Sequence, residues 1–293
     1  MFEGFEQGDL ETSDAVIHYK KAGSGRPLLL LHGYPQTHAM WHQVAPELAR
    51  DFSVVVSDLR GYGDSSKPAS NETHFAYSKR AMALDQVELM ASLGHDTFFV
   101  AGHDRGGRVA HRMALDHRDR VKKLAVLDIL PTHKLFSNVT KDFATGYYHW
   151  FFLIQGDGLP EFMIGKDPEY YLNTCLSKWS ADDAQFAPEA MDEYVRCFSN
   201  PETVHATCED YRAGASIDLE HDEADMADKL GCPLLTLWGG KGLMDRQYDI
   251  LDAWRERAVN VQGQALPGGH FLPEEVPAET TAALRSFFTD RPE

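Results

Sequence analysis

Short apolar runs recur along the chain, and most of them are followed by a stretch with helical character. The apolar runs occupy residues 27–31, 52–56, 97–101, 124–127, 233–238 and 261–266. The helical stretches occupy residues 79–93, 106–116 and 278–288. Continuously apolar strands that alternate with helices are typical of a parallel sheet covered by helices on both faces. The pattern therefore predicts an α/β fold with a mostly parallel sheet.

The segment from residue 132 to residue 224 departs from this rhythm. It is rich in aromatic and acidic residues, its pattern is helical, and it separates two predicted strands. We interpret it as a helical cap inserted over the edge of the sheet, so that residues 1–131 and 225–293 form the core domain. In sheets of this kind ligands bind beyond the carboxyl ends of the strands, and we expect the site there.

The composition narrows the possible partners. The formal net charge is −17, which disfavours nucleic acid and anionic membranes, and an anionic substrate would need a local cationic pocket. No run of eighteen apolar residues is present, and the acidic N-terminus lacks the basic and apolar regions of an export signal. The four cysteines form no C-x-x-C pair, which is typical of free thiols in a reducing compartment. We therefore expect a cytoplasmic protein.

The most informative motif joins the third apolar run to the helical stretch behind it. It reads Gly102-His-Asp-Arg-Gly-Gly-Arg108, and its glycines flank Asp104 at a turn too sharp for Cβ atoms. This pattern presents a nucleophile in many hydrolases, although an Asp at the start of a helix is often only a cap. A carboxylate in place of Ser or Cys suits displacement at a saturated carbon, which leaves an ester for water to cleave. Asp104 therefore indicates dehalogenation or epoxide opening rather than esterase chemistry.

Two arginines follow the predicted nucleophile. Arg105 and Arg108 are three residues apart, so they can converge on one face of the helix. Cations are disfavoured by the dipole at the start of a helix, and one of the two could be a solvated surface residue. Together, their donors could bind a carboxylate bidentately and overcome the repulsion of a strongly negative protein.

Further motifs stand at predicted strand ends and in the cap. They are His32-Gly-Tyr-Pro-Gln-Thr-His38, Asp58-Leu-Arg-Gly-Tyr-Gly-Asp64, Asp128, His149-Trp150, Tyr211 and Gly269-His-Phe-Leu-Pro-Glu274. With these motifs the chain resembles the α/β-hydrolases and, more narrowly, the fluoroacetate dehalogenases, over about residues 23–288. The first two motifs are shared with epoxide hydrolases, whereas the arginine pair and the His-Trp of the cap are more specific.

The resemblance implies a hydrolytic triad. Asp104 would be the nucleophile, and His270 would be the general base that activates water in the second step. Asp128, directly after the fourth apolar run, would orient His270. Asp245, in the loop after the next strand, is the alternative acid.

The resemblance also implies contacts to the substrate. Arg105 and Arg108 would bind the carboxylate of a haloacetate, and the backbone N–H groups of Tyr34 and Arg105 would form the oxyanion hole. The side chains that would donate hydrogen bonds to the departing halide are His149, Trp150 and Tyr211. The family further implies a homodimer, and the reaction requires neither a metal nor an organic cofactor.

Three other functions are compatible with the same motifs. An epoxide hydrolase would share the Asp, His and acid, but would use two cap tyrosines and usually carries Trp where this chain has Arg105. A haloacid dehalogenase that prefers chloroacetate or bromoacetate is the second, and a non-enzymatic receptor on a hydrolase scaffold is the third. His38 and His42 have the spacing of a metal-binding pair, but no acidic third ligand is evident near them in the sequence, so we expect packed or solvated histidines.

Overall fold

An eight-stranded sheet organises the structure, which is a computed structural model that describes residues 1–290. The strands are β1 (Glu6–Glu11), β2 (Val16–Ala22), β3 (Arg26–Leu31), β4 (Phe52–Ser57), β5 (Phe98–His103), β6 (Val121–Leu127), β7 (Leu234–Gly239) and β8 (Val261–Leu266). Their spatial order is β1-β2-β4-β3-β5-β6-β7-β8. Strands β3 to β8 run parallel, whereas β1 and β2 join the sheet antiparallel. The prediction of a mostly parallel sheet is confirmed.

The central and edge strands differ in their side chains. All six residues of β5 are buried, and so are the four leucines that end β3, as expected where helices cover both faces. Strands β1 and β2 instead pair polar residues such as Glu6 with Lys21, and β1 has no buried residue. The apolar pattern did not predict these two strands, because a polar ribbon at the edge of a sheet gives no continuous apolar run.

Helices flank the sheet and connect its strands. They are α1 (Ala45–Leu48), α2 (Lys79–Ser92), α3 (Asp104–Asp116), α4 (Thr132–Ser137), α5 (Lys141–Gly146), α6 (His149–Phe152), α7 (Leu159–Ile164), α8 (Pro168–Trp179), α9 (Pro188–Phe198), α10 (Pro201–Gly214), α11 (Ile217–Ala224), α12 (Leu243–Gln247), α13 (Ile250–Arg255), α14 (Leu272–Glu275) and α15 (Pro277–Thr289). Helix α3 packs on β5 and β6 and against α2. No helix within residues 1–290 is long and apolar enough to cross a membrane.

Helices α4 to α11 form an insertion between β6 and β7. Their buried side chains Phe143, Trp150 and Leu172 belong to the same apolar cluster as Val126 of the sheet. The insertion meets the sheet at the carboxyl ends of its strands, because Tyr34, just after β3, packs edge-to-face on a tyrosine of α10 at a ring distance of 5.2 Å. The interface between sheet and insertion is therefore the place where the predicted site residues can meet.

Candidate active site

Asp104 stands at the abrupt turn from β5 into α3. The strand ends at His103 and the helix begins at Asp104, so no loop separates them. Asp104 has a φ of 45°, in the left-handed region where a residue with a side chain is strained, and such strain concentrates at functional sites. A Cβ atom at Gly106 would lie only 2.3 Å from the carbonyl oxygen of His32. Glycine at this position therefore allows the loop after β3 to lie against the start of α3.

The carboxylate of Asp104 is buried but is held in its ionised form. The backbone N–H of Tyr34 donates to Oδ1 of Asp104 at 2.9 Å, and Asp104 is only 6% exposed. Burial acts to raise the pKa of this carboxyl, but the nearby charges of His270 and Arg108 outweigh it and hold the pKa below its ordinary value. The N–H groups in the first turn of α3, among them that of Arg105, lack acceptors within the helix and add to this stabilisation.

His270, on the loop after β8, is paired with Asp128. Its Nδ1 lies 2.5 Å from Oδ2 of Asp128, and the backbone N–H of Gly239 donates to the other carboxylate oxygen at 3.0 Å. Burial acts to lower the pKa of His270, but the hydrogen bond and charge of Asp128 raise it above its ordinary value. The alternative acid, Asp245, instead accepts a hydrogen bond from Trp238 at 2.7 Å. The structure thus brings Asp128, and not Asp245, to the histidine.

Arg105 makes a contact that the sequence did not predict. Its Nε and Nη2 donate to the carboxylate of Asp210 at 2.9 and 2.7 Å, and Asp210 also accepts from Tyr62 and pairs with Lys79. The guanidinium lies over the ring of Tyr211, 4.2 Å from its centroid. Within residues 1–290, Nη1 is the one guanidinium nitrogen of Arg105 without a hydrogen bond. The pair of arginines is therefore unequal, because Arg105 is already neutralised.

Arg108 carries its charge without a carboxylate partner in the described part of the chain. Its Nη1 donates to the carbonyl of Leu130 at 2.9 Å and to the hydroxyl of Thr132 at 3.0 Å, and its guanidinium lies 4.6 Å from the ring of Trp150. Burial lowers the pKa of Arg108 to about 10, which still leaves the side chain charged at neutral pH. The charge of Asp104 partly offsets this cation without forming an ion pair with it, so an anionic ligand would stabilise Arg108 by pairing with it directly.

The three side chains of the insertion that are predicted to receive the halide lie together, and two of them have a buried polar atom without a hydrogen-bond partner. His149, Trp150 and Tyr211 are each at most 2% exposed, and the ring of Tyr211 is 5.5 Å from His149 and 6.2 Å from Trp150. Within residues 1–290 the hydroxyl of Tyr211 and Nδ1 of His149 have no hydrogen-bond partner. Burial keeps both side chains neutral, since it raises the pKa of Tyr211 and lowers that of His149. Buried polar groups are usually hydrogen-bonded, so these two atoms are available to a ligand.

Two more aromatic residues of the insertion line the site, and the sequence analysis did not assign them. Trp179, at the end of α8, lies 4.2 Å from the ring of His149 and 5.9 Å from that of His270. Tyr147 lies 6.2 Å from the ring of His270. Tyr147 stands two residues before His149, which is a weak signal in the sequence, whereas nothing in the sequence indicates Trp179 or Asp210.

His38 and His42 face different carboxylates. Nδ1 of His38 lies 2.9 Å from Oδ1 of Asp58, an acidic neighbour that the sequence analysis did not detect. Nδ1 of His42 lies 3.7 Å from Oε2 of Glu274. No group of three potential metal ligands occurs in the part of the chain that the structure describes.

Fold and site together define the class of this protein. The sequence pattern of the α/β hydrolase fold family matches residues 26–277, and the chain belongs to this family. A fluoroacetate dehalogenase from Burkholderia sp is 47% identical over 99% of this chain and 96% of its own length. A soluble epoxide hydrolase from Corynebacterium sp. (strain C12) is 39% identical over 93% of each chain. A solved structure from Nostoc sp PCC 7120 superposes with a TM-score of 0.98 at 62% identity, covering 99% of this chain and 100% of its own.

Proposed function

We propose that this protein is a hydrolytic dehalogenase that converts fluoroacetate and other haloacetates into glycolate and halide. The observation that carries the proposal is the juxtaposition of a strained, ionised Asp104 with the unpaired buried cation of Arg108. A carboxylate nucleophile suits attack on a saturated carbon, and the cation suits a substrate that carries its own carboxylate. The 47% identity to a fluoroacetate dehalogenase supports the same conclusion.

The first step is a displacement at the α-carbon. Arg108, assisted by Nη1 of Arg105, binds the substrate carboxylate and so presents the α-carbon to Asp104. An oxygen of Asp104 forms a bond to this carbon while the carbon–halogen bond breaks, and the halide leaves with the bonding electron pair. The product of the step is an ester between Asp104 and the glycolyl group. One displacement at the carbon inverts its configuration, so a chiral 2-haloacid would be inverted.

The halide leaves into the cap. The unpartnered hydroxyl of Tyr211, the ring of His149 and the indole N–H of Trp150 form the polar part of a pocket that is otherwise aromatic. Fluoride is strongly hydrated, so a dry pocket has to replace its water with fixed donors. One such donor contributes about 2.7–4 kcal/mol to the transition state of comparable reactions.

The second step hydrolyses the ester. With Nδ1 of His270 bound to Asp128, Nε2 is free to take a proton from water, which attacks the acyl carbon of Asp104. The backbone N–H of Tyr34, which already donates to the Asp104 carboxylate, and that of Arg105 stabilise the oxyanion. The intermediate collapses by breaking the bond between the acyl carbon and the ester oxygen, and His270 returns the proton to that oxygen to give glycolate.

The test is halide release from fluoroacetate and chloroacetate, with hydrolysis of a neutral epoxide measured in parallel. Fluoride release by the wild type that disappears in Asp104→Ala is the expected result. Chloride release without fluoride release would mean that the protein is a haloacid dehalogenase that prefers weaker carbon–halogen bonds. Activity on the epoxide alone would overturn the roles of Arg105 and Arg108.

Epoxide hydrolysis is the second candidate function. It is favoured by the 39% identity to a soluble epoxide hydrolase and by the burial of both Tyr147 and Tyr211, two tyrosines that could protonate an epoxide oxygen. The cation of Arg108 argues against it, because a neutral epoxide offers no charge to pair with that cation.

The proposal has three further parts. We assign residues 132–224 to a cap domain and residues 1–131 and 225–293 to the core domain, because the site residues of α6 and α10 come from the insertion between β6 and β7; residues 291–293 lie outside the described part of the chain. We place the reaction in the cytoplasm, which the four free cysteines of the described chain support. We also expect a homodimer, which sedimentation of the purified protein would test.

A further inference from the structure

A cavity of about 530 Å³ extends from the protein surface to the ring of His270. Its inner end is formed by His270, Tyr147 and Trp179, which the site already contains. Its outer end is formed by exposed side chains at the C-terminal end of α8, in the loop that follows and on α12. Asp104 does not line this cavity, which borders the site at His270, Tyr147 and Trp179.

The outer end of this cavity is cationic although the protein is strongly acidic. Lys178, Lys241 and Arg246 line it together with Asp182 and Asp183. Lys241 is paired with Asp183 at 3.0 Å. Within residues 1–290 neither Lys178 nor Arg246 forms an ion pair. The cavity lining therefore contains three cationic and two anionic side chains, whereas the whole chain has 28 basic and 45 acidic residues.

Unpaired cations at the opening of a cavity act on a charged ligand before it binds. The net charge of −17 repels an anion from most of the surface. A local positive potential at the opening raises the concentration of the anion there, and it raises the association rate without changing the chemistry inside. Such an effect depends on ionic strength, because exposed charges are screened over a Debye length of about 10 Å at 0.1 M salt.

We propose that Lys178 and Arg246 are specificity-determining residues that attract small carboxylates into this cavity. The inference rests on the proposed function, since it takes the substrate to be an anionic haloacid. The two side chains act on association of the substrate, while Arg108 holds its carboxylate once it is inside. Because they touch no reacting atom, their removal leaves the chemical step unchanged.

The experiment measures association and turnover separately. The variant Lys178→Glu/Arg246→Glu is compared with Lys122→Glu/Lys166→Glu, which makes the same change of charge at exposed lysines that do not line the cavity. The association rate of fluoroacetate is followed by stopped-flow tryptophan fluorescence in an Asp104→Asn background, with Trp179 of the cavity lining as the reporter. The salt concentration is varied from about 10 mM to about 0.5 M. Halide release is measured with Asp104 intact.

The cavity variant is expected to bind fluoroacetate at least about 10-fold more slowly at low salt, with the difference vanishing at high salt and kcat unchanged. The control pair of substitutions should change the rate by less than about twofold. An equal decrease of the association rate in both variants, or a decrease that persists at high salt, would overturn the proposed role of Lys178 and Arg246 in attracting the substrate. Halide release by the enzymes with Asp104 intact would show that the proposed function still holds. Absence of halide release in every enzyme with Asp104 intact would instead overturn the proposed function, and this inference with it.

Discussion

The two halves of the candidate site are built differently. On the sheet side, Asp104 and Asp128 both have positive φ values, and each of their carboxylates accepts a backbone N–H as well as facing other site residues. On the cap side, His149 and Tyr211 stand in ordinary helices, and their polar atoms have no partner among the described residues. The sheet side thus holds its proposed reactive groups in fixed contacts, whereas the cap side has buried polar atoms that are available to a ligand.

From this difference we infer that the sheet side carries out the reaction steps and the cap side determines selectivity for the leaving group. Backbone strain and hydrogen bonds fix the positions of the proposed nucleophile and of the acid that orients the proposed base, which any displacement–hydrolysis sequence requires. We expect the unpaired polar groups of the cap to select the leaving group, because they would contribute only when an anion forms beside them. Substitutions on the sheet side should therefore affect all substrates, and substitutions on the cap side should affect fluoroacetate most.

The largest effect is expected on the sheet side. Asp104→Asn should lower kcat for fluoroacetate and for chloroacetate alike by at least about 10⁴-fold, since removal of a nucleophile costs this much or more in comparable enzymes. A halide-selective electrode and circular dichroism of the purified variant would measure activity and folding. Retention of more than about one hundredth of the activity would mean that another group attacks the carbon.

Asp128→Asn should come next, with a loss of about 10⁴-fold or somewhat less and a shift of the pH profile. His270 must be neutral to accept a proton, and Asp128 raises its pKa above the ordinary value of 6.5. The activity of the wild type should therefore decrease as the pH is lowered, with the midpoint of the decrease above pH 6.5. Without the Asp128 charge the midpoint should move to lower pH.

Asp245→Asn is the matched control for this pH profile, because Asp245 is the acid that the sequence left as the alternative. It should keep the wild-type midpoint and nearly all of the activity, since its carboxylate contacts Trp238 and not His270. A shift of the midpoint in Asp245→Asn, with none in Asp128→Asn, would show that Asp245 and not Asp128 is the acid that orients His270.

On the cap side, Tyr211→Phe should lower kcat for fluoroacetate by about 10²- to 10³-fold, the loss expected for one donor to a developing anion. The loss for chloroacetate should be smaller, because chloride is less strongly hydrated and depends less on fixed donors. Tyr170→Phe, which changes an exposed tyrosine of the cap, is the control. Equal losses for both haloacetates would refute the assignment of selectivity to the cap.

The smallest effect concerns the contact between the two halves. Glu274 of α14 accepts from Tyr194 of α9, and burial raises the pKa of its carboxyl from 4.5 to about 8. A raised pKa means that the folded state favours the protonated form, so this stabilisation is complete below about pH 4.5 and is lost as the pH rises through about 8.

Glu274→Gln should therefore raise the Tm by a few degrees at about pH 8 and have little effect at about pH 4.5, as measured by differential scanning calorimetry. Tyr194→Phe tests whether the hydroxyl contributes to the same contact. An unchanged pH dependence of Tm in Glu274→Gln would show that this carboxyl does not titrate on unfolding.

The sheet side could be predicted from sequence because its residues stand in local motifs. Asp104 lies between glycines after an apolar run, and Asp128 and His270 follow strands, so neighbouring residues indicate their places. The parallel sheet was predictable for the same reason. Strands β1 and β2 were not, because their polar residues give no apolar run.

The partners of the site residues were not predictable, because they depend on contacts between distant parts of the chain. Arg105 and Asp210 are separated by 105 positions, and no local pattern links them. The same holds for His38 with Asp58 and for Trp179 with His149. The sequence thus indicated two arginines with the same role, whereas the structure shows one neutralised by a carboxylate and one without a carboxylate partner in residues 1–290.

The central claim is that Asp104 forms the ester, and a single turnover in H₂¹⁸O tests it most directly. With enzyme in excess over fluoroacetate, water adds its oxygen to the acyl carbon of Asp104, and the hydroxyl oxygen of glycolate comes from the enzyme. Mass spectrometry should therefore find ¹⁸O in the peptide that contains Asp104 and unlabelled glycolate. Labelled glycolate with an unlabelled peptide would show that water attacks the substrate directly and would contradict this account.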